Sequence, residues 1–184
     1  MTATGVVTEV AGGQRPPAPA AFVSEGTSQY LTFLLAGEQF AVAIIHVKEI
    51  IEYGRVAPVP MMPAWIRGVI NLRGAVVPVM DLAARFGRPA STLTRRTCIV
   101  VVEIVTEGER RDVGVVVDAV SAVQDIAARD IEPPPAMGGM IRSDFIRGMG
   151  KVDGRFVIIL DAARVLSDDG FATSANAGTT EDVP

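Results

Sequence analysis

The stretch from Ile66 to Ala84, IRGVINLRGAVVPVMDLAA, returns at an offset of 80 as IRGMGKVDGRFVIILDAAR, from Ile146 to Arg164. Ile66, Arg67, Gly68, Gly74, Val77, Asp81 and Ala83 recur unchanged, and Leu72/Val152, Val79/Ile159 and Met80/Leu160 keep their character. A weaker echo at an offset of 73 pairs FAVAIIHVKEI from Phe40 with VGVVVDAVSAV from Val113, the longer EPPPAMGG connection absorbing the difference. The chain therefore carries two copies of one small unit, approximately 30–86 and 96–166. Each is too short to bury a deep core alone, so the two must pack on each other.

The units read as β. YLTFLLA, EQFAVAI, VINLRGAVVPV, TCIVVVEIV, DVGVVVDAV and FVIILD are short β-branched runs divided by AGE, TEGERR and VDGR turns. Short strands at this spacing favour mostly antiparallel barrels over an open sheet. Gly74 and Gly154 supply turn conformations that a Cβ resists. Asp81 and Asp161 precede LAARF and AARVL, where an aspartate accepts from the free amides of a short helix.

Composition bounds the function. Residues 1–28 contain AGGQRPPAPAA and residues 168–184 are small, polar and acidic, so both are expected to be mobile tails around a folded 29–167. The start lacks a basic segment followed by an apolar one, and no apolar run reaches the length of a membrane span; a soluble, cytoplasmic chain without membrane insertion is expected. A net charge of −4, one tryptophan and two tyrosines argue against nucleic acid as a partner. An apolar fraction of 49% is compatible with some apolar surface meeting another protein, or with a generous core.

Enzyme chemistry finds no support. GMGK at 148–151 resembles a phosphate loop, but Phe145 and Val152 stand where glycine and a hydroxyl residue belong. His46 and Glu49 in HVKE could ligate a metal, yet the chain has one histidine, so a metal is not expected. Cys98, at the head of IVVVEI, reads as a strand thiol because nothing in its neighbourhood would lower its pKa. No serine–histidine constellation or glycine-rich elbow is present, which leaves a non-catalytic interaction module.

Where the copies agree, shared architecture suffices as a cause; where they differ in chemistry, another cause is needed. Arg73 aligns with Asp153, Asn71 with Lys151, and Glu49 with Ala122. An arginine and a glutamate confined to the first copy can pair across a groove or bind a polar partner there; two solvated surface charges would leave the same pattern.

FAVAIIHVKEII, PVPMMPAWIRGVINLRGAVVPVMDLAARFG, VGVVVDAVSAV and IRGMGKVDGRFVIILDAARVL together closely resemble the CheW family of chemotaxis adaptors, over about residues 29–167. The resemblance implies two packed SH3-like, five-stranded β-barrels with short helices. It implies a non-catalytic, cofactor-free scaffold that couples the regulatory domain of the histidine kinase CheA to the cytoplasmic tips of methyl-accepting chemoreceptors, whose helices lie in the groove between barrels. Carried over by residue, it makes Arg73 and Glu49 receptor contacts, with Val47, Ile50 and Asn71 beside them and Gly68 and Gly74 shaping the groove. Leu31, Ile44 and Val47 become the apolar kinase contact. An adaptor of a paralogous array, such as one for twitching motility, or a small-ligand sensor are the alternatives. The long Pro-rich leader before Ser28 departs from what an adaptor needs.

Overall fold

The computed structural model describes residues 26–135 and 141–167. Its strands are β1 (Thr27–Leu35), β2 (Glu38–Ala43), β3 (Val47–Glu52), β4 (Ile66–Leu72), β5 (Ala75–Asp81), β6 (Cys98–Thr106), β7 (Glu109–Val117), β8 (Ala119–Ala127), β9 (Ile131–Glu132), β10 (Ile146–Val152) and β11 (Arg155–Leu160). Two one-turn helices, α1 (Leu82–Arg85) and α2 (Ala162–Val165), follow β5 and β11. β1 begins inside the span expected as a leader; residues 1–25 and 168–184 lie outside the described residues.

Four hairpins turn on a two-residue corner whose second member is glycine. Ala36-Gly37, Arg73-Gly74, Glu107-Gly108 and Asp153-Gly154 all have positive φ at both positions. That is the type I′ turn, whose twist matches that of the strands it joins.

The strands form a six-stranded sheet, β8-β1-β2-β11-β10-β9, and a five-stranded one, β3-β6-β7-β5-β4. The class is the one expected, all-β with two units of duplicated plan and short helices, but one sheet has six strands where five were expected, the two-residue β9 being the addition. The repeats and the sheets do not coincide, however. The β1–β2 hairpin of the first copy sits among strands of the second, and β6–β7 of the second sits among strands of the first. Parallel ladders Ile158↔Phe40 and Val79↔Gly114 seal the exchange. The three residues Ile44–His46 after β2, and Asp118 alone after β7, carry the chain onward into the other sheet. Neither connection contains a residue with positive φ, so neither makes the tight type I′ reversal of the four hairpin corners.

Alternation along the exchanged strands creates three cores. On β1, Leu31, Phe33 and Leu35 face a large cluster between the sheets, joined by Val100, Val102 and Ile104 of β6 and by Val113, Val115 and Val117 of β7. The opposite parity fills each sheet's own interior: Ile99, Val101 and Val116 pack on Ile70, Val77 and Val79 in one, and Tyr30 and Ala41 on Ile126, Val157 and Ile159 in the other. Rings of Phe33, Phe40, Phe86 and Phe145 run through the middle with neighbouring centroids 5.8–6.2 Å apart. Strands buried on both faces need continuous apolar runs, which is why CIVVVEIV does not alternate. Cys98 is half-buried at the head of β6 and packs against the central cluster.

Both expected aspartate caps form: Ala84 N donates to Asp81 Oδ1 at 3.2 Å and Arg164 N to Asp161 Oδ1 at 3.1 Å. Asp81 does more. It is 0% exposed, and its Oδ2 accepts from Arg67 Nε and Nη2 at 2.9 and 2.7 Å and from Ser91 N at 2.9 Å. A buried carboxylate so surrounded fixes β4, α1 and the 88–96 loop together.

Neither half is expected to fold alone, because each sheet requires both. Residues 1–90 produced in isolation should show no cooperative thermal transition by circular dichroism and gain one on mixing with residues 91–184. In the intact chain, Phe40→Ala should lower unfolding free energy by about 3–5 kcal/mol in denaturant titrations.

Candidate partner-binding site

The corner between β4 and β5 is locked before it presents anything. Arg73 and Gly74 have φ of 51° and 86°, and Gly74 N donates to Asn71 Oδ1 at 3.0 Å. Asn71 thus holds the turn rather than reaching outward. Gly74 is required by conformation alone, since a Cβ there would meet nothing within 4 Å. Gly68 differs. Its φ is +143° and a Cβ would fall 2.1 Å from the carbonyl oxygen of Ala57. Residue 57 exchanges backbone hydrogen bonds with Val69 at 2.8 and 2.9 Å, so the 53–65 loop lies across β4 directly over the glycine.

Held this way, Arg73 Nη2 stands 3.3 Å from both carboxylate oxygens of Glu49 on β3. β3 and β4 are the two edges of the five-stranded sheet. The pair therefore spans the seam where that sheet curls toward closure. The arginine side chain is 81% exposed and the glutamate 26%. An ion pair this open contributes little to stability, so it orients the guanidinium without consuming its donors.

The apolar surroundings divide. Ile50, 43% exposed, is on β3 beside Glu49, and Ile45, 84% exposed, lies in the turn before it. Ile44 and Val47 are half-buried and pack on the central core from its edge. Leu31 is corrected: at 2% exposure its side chain faces the core between the sheets and offers no surface to a kinase. β1 is buried on both faces, so its alternation did not separate inside from outside.

Ile45 and a charged cluster next to the pair were not anticipated. Lys48 occupies a bulge in the β3–β6 ladder, and its Nζ reaches Asp112 at 3.0 Å and Glu103 at 3.2 Å. Hydrogen bonds to Asp112 first and Glu103 second hold its ammonium above the usual lysine pKa. The partners lie 64 and 55 positions away in sequence, and no local signal marks them.

Comparison with known proteins adds to this geometry. The profile of the CheW-like domain matches residues 29–170. The chain belongs to the CheW family. The chemotaxis protein CheW of Rhizobium meliloti is 34% identical over 147 residues, covering 80% of this chain and 92% of that protein. The protein FrzA of Myxococcus xanthus is 29% identical over 126 residues, 68% and 76% of the respective chains. Among solved structures, the scaffolding protein TtCheW of Thermoanaerobacter tengcongensis superposes with a TM-score of 0.70 at 31% identity, covering 86% of this chain and 96% of that one. The CheW resemblance read from the sequence is thus established. Among the described residues no helix is long and apolar enough to cross a membrane.

The two site glycines should separate experimentally. Gly68→Ala must displace the 53–65 loop and is expected to destabilise by more than about 2 kcal/mol, whereas Gly74→Asn, at a position asparagine tolerates, should cost about 1 kcal/mol or less in chemical unfolding.

Proposed function

We propose that this chain is a non-catalytic adaptor, working in the cytoplasm, that couples the regulatory domain of the histidine kinase CheA to the cytoplasmic tips of methyl-accepting chemoreceptors. The observation that carries the reading is the Arg73–Glu49 pair, exposed, oriented and confined to one copy of the repeat. A guanidinium held on one side by Glu49 retains free N–H groups for a carboxylate or carbonyl on a receptor helix. Ile50 supplies apolar contact beside it, in the manner of a helix laid along a groove. Gly68 and Asn71 act indirectly, by placing the loop and the corner. Ile44 and Val47 remain the apolar candidates for the kinase barrel, Val47 lying where the two surfaces meet.

Likeness to FrzA supports a second reading, an adaptor serving a paralogous array with the same two surfaces. Pull-down against the organism's own CheA regulatory domain and, separately, a receptor cytoplasmic fragment tests the first. Wild type should bind both; Arg73→Glu should bind receptor at least tenfold more weakly, about 1.4 kcal/mol, and kinase unchanged. Binding of neither partner by wild type overturns the chemotaxis reading and leaves the paralogous array.

A further inference from the structure

The two barrels differ at one mouth in a way the partner reading does not use. Glu49 stands opposite Val101 in its ladder, and Ala122 stands opposite Thr32 in the equivalent ladder of the other sheet. Arg73 and Ala75 correspond to Asp153 and Arg155 at the matching hairpin corner. In the five-stranded sheet the chain spans this place with its own Arg73–Glu49 pair. In the six-stranded sheet the carboxylate is missing, and a cleft of about 360 Å³ remains between β8 and the β10–β11 corner.

Its lining has a definite chemistry. Asp153 and Arg155 form the rim, and neither makes a side-chain hydrogen bond or ion pair among the described residues. Gln39, Ser121 and Gln124 supply neutral donors and acceptors, with Gln39 Nε2 donating to Ser121 Oγ at 3.3 Å. Thr32, 4% exposed, is anchored by donating to the carbonyl of Ala122 at 3.0 Å. Val152, Val157 and the Ala122 methyl are apolar. The opposite charges sit two residues apart across a tight turn, their Cα atoms at most about 7 Å from each other. One cleft is thus offered an anionic and a cationic group side by side, the complement of a small molecule that carries both an ammonium and a carboxylate.

We propose that the mouth of the six-stranded barrel binds a free α-amino acid with a small side chain, its carboxylate on Arg155, its ammonium on Asp153 and its side chain against Val152 and the Ala122 methyl. The rim charges are solvated, so the affinity is low, with a dissociation constant on the order of 1 mM. The inference stands independently of which proteins the chain joins.

An NMR titration of the full chain with L-alanine tests it, with acetate and methylammonium as single-charge controls. Alanine should move the backbone amides of Ser121, Asp153 and Gly154. Asp153→Asn and Arg155→Gln, both at exposed positions and both expected to keep the dispersed spectrum of a folded chain, should each weaken the response about fivefold. The single-charge compounds should bind at least as much more weakly. Amides that stay still, that respond equally to acetate, or that respond to alanine unchanged in both variants would overturn the proposal.

Discussion

The apolar layer between the two sheets is the constraint on which the molecule rests. It is made by the β1–β2 and β6–β7 hairpins, each inserted among strands of the other repeat, so its residues also fix the pairing of both sheets. Everything placed at the surface inherits its position from that layer. β3 meets solvent with Glu49 because its ladder partner β6 is immobilised on both faces. The Arg73 corner meets Glu49 because β5 is zipped to β7 of the other copy.

Much of this was legible in the residues, for reasons that can be named. The repeat announced two equivalent β units, and IRG…G…V…D recurs because a glycine lies against a crossing segment (the 53–65 loop in one copy, β9 in the other), another turns the corner and an aspartate caps a helix in each copy. The singular Arg73 and Glu49 were visible because an internal duplicate removes what architecture alone explains. The hairpin exchange was not legible. Either partner offers the hairpin the same apolar faces and the same ladder, so the hydrophobic pattern does not distinguish them. Leu31 was misread for a related reason: in a strand buried on both sides, parity no longer reports exposure.

Stability and recognition use electrostatics differently here. Arg67–Asp81 is inside, multiply hydrogen-bonded, and organises a loop and a helix. Its counterpart Asp161 keeps the cap and adds only a 3.8 Å ion pair with Arg164 of its own helix, so identical residues in the two copies do different physical work. Arg73–Glu49 is outside and leaves donors free; Lys48 with Glu103 and Asp112 adds fixed charge alongside it. A partner approaching the β3 edge meets a patterned surface rather than a uniformly apolar one, which favours selectivity over raw affinity.

The exchanged hairpins also bear on origin. A single ancestral unit could not have sheltered its own β1–β2 hairpin in this manner, whereas two identical chains trading hairpins about a two-fold axis would produce both sheets at once. The present arrangement has the form of such a swapped homodimer, with residues 87–97 joining the two halves covalently. A single covalent chain imposes no identity on its halves, and the corner that carries Arg73 in one and Asp153 in the other uses that freedom.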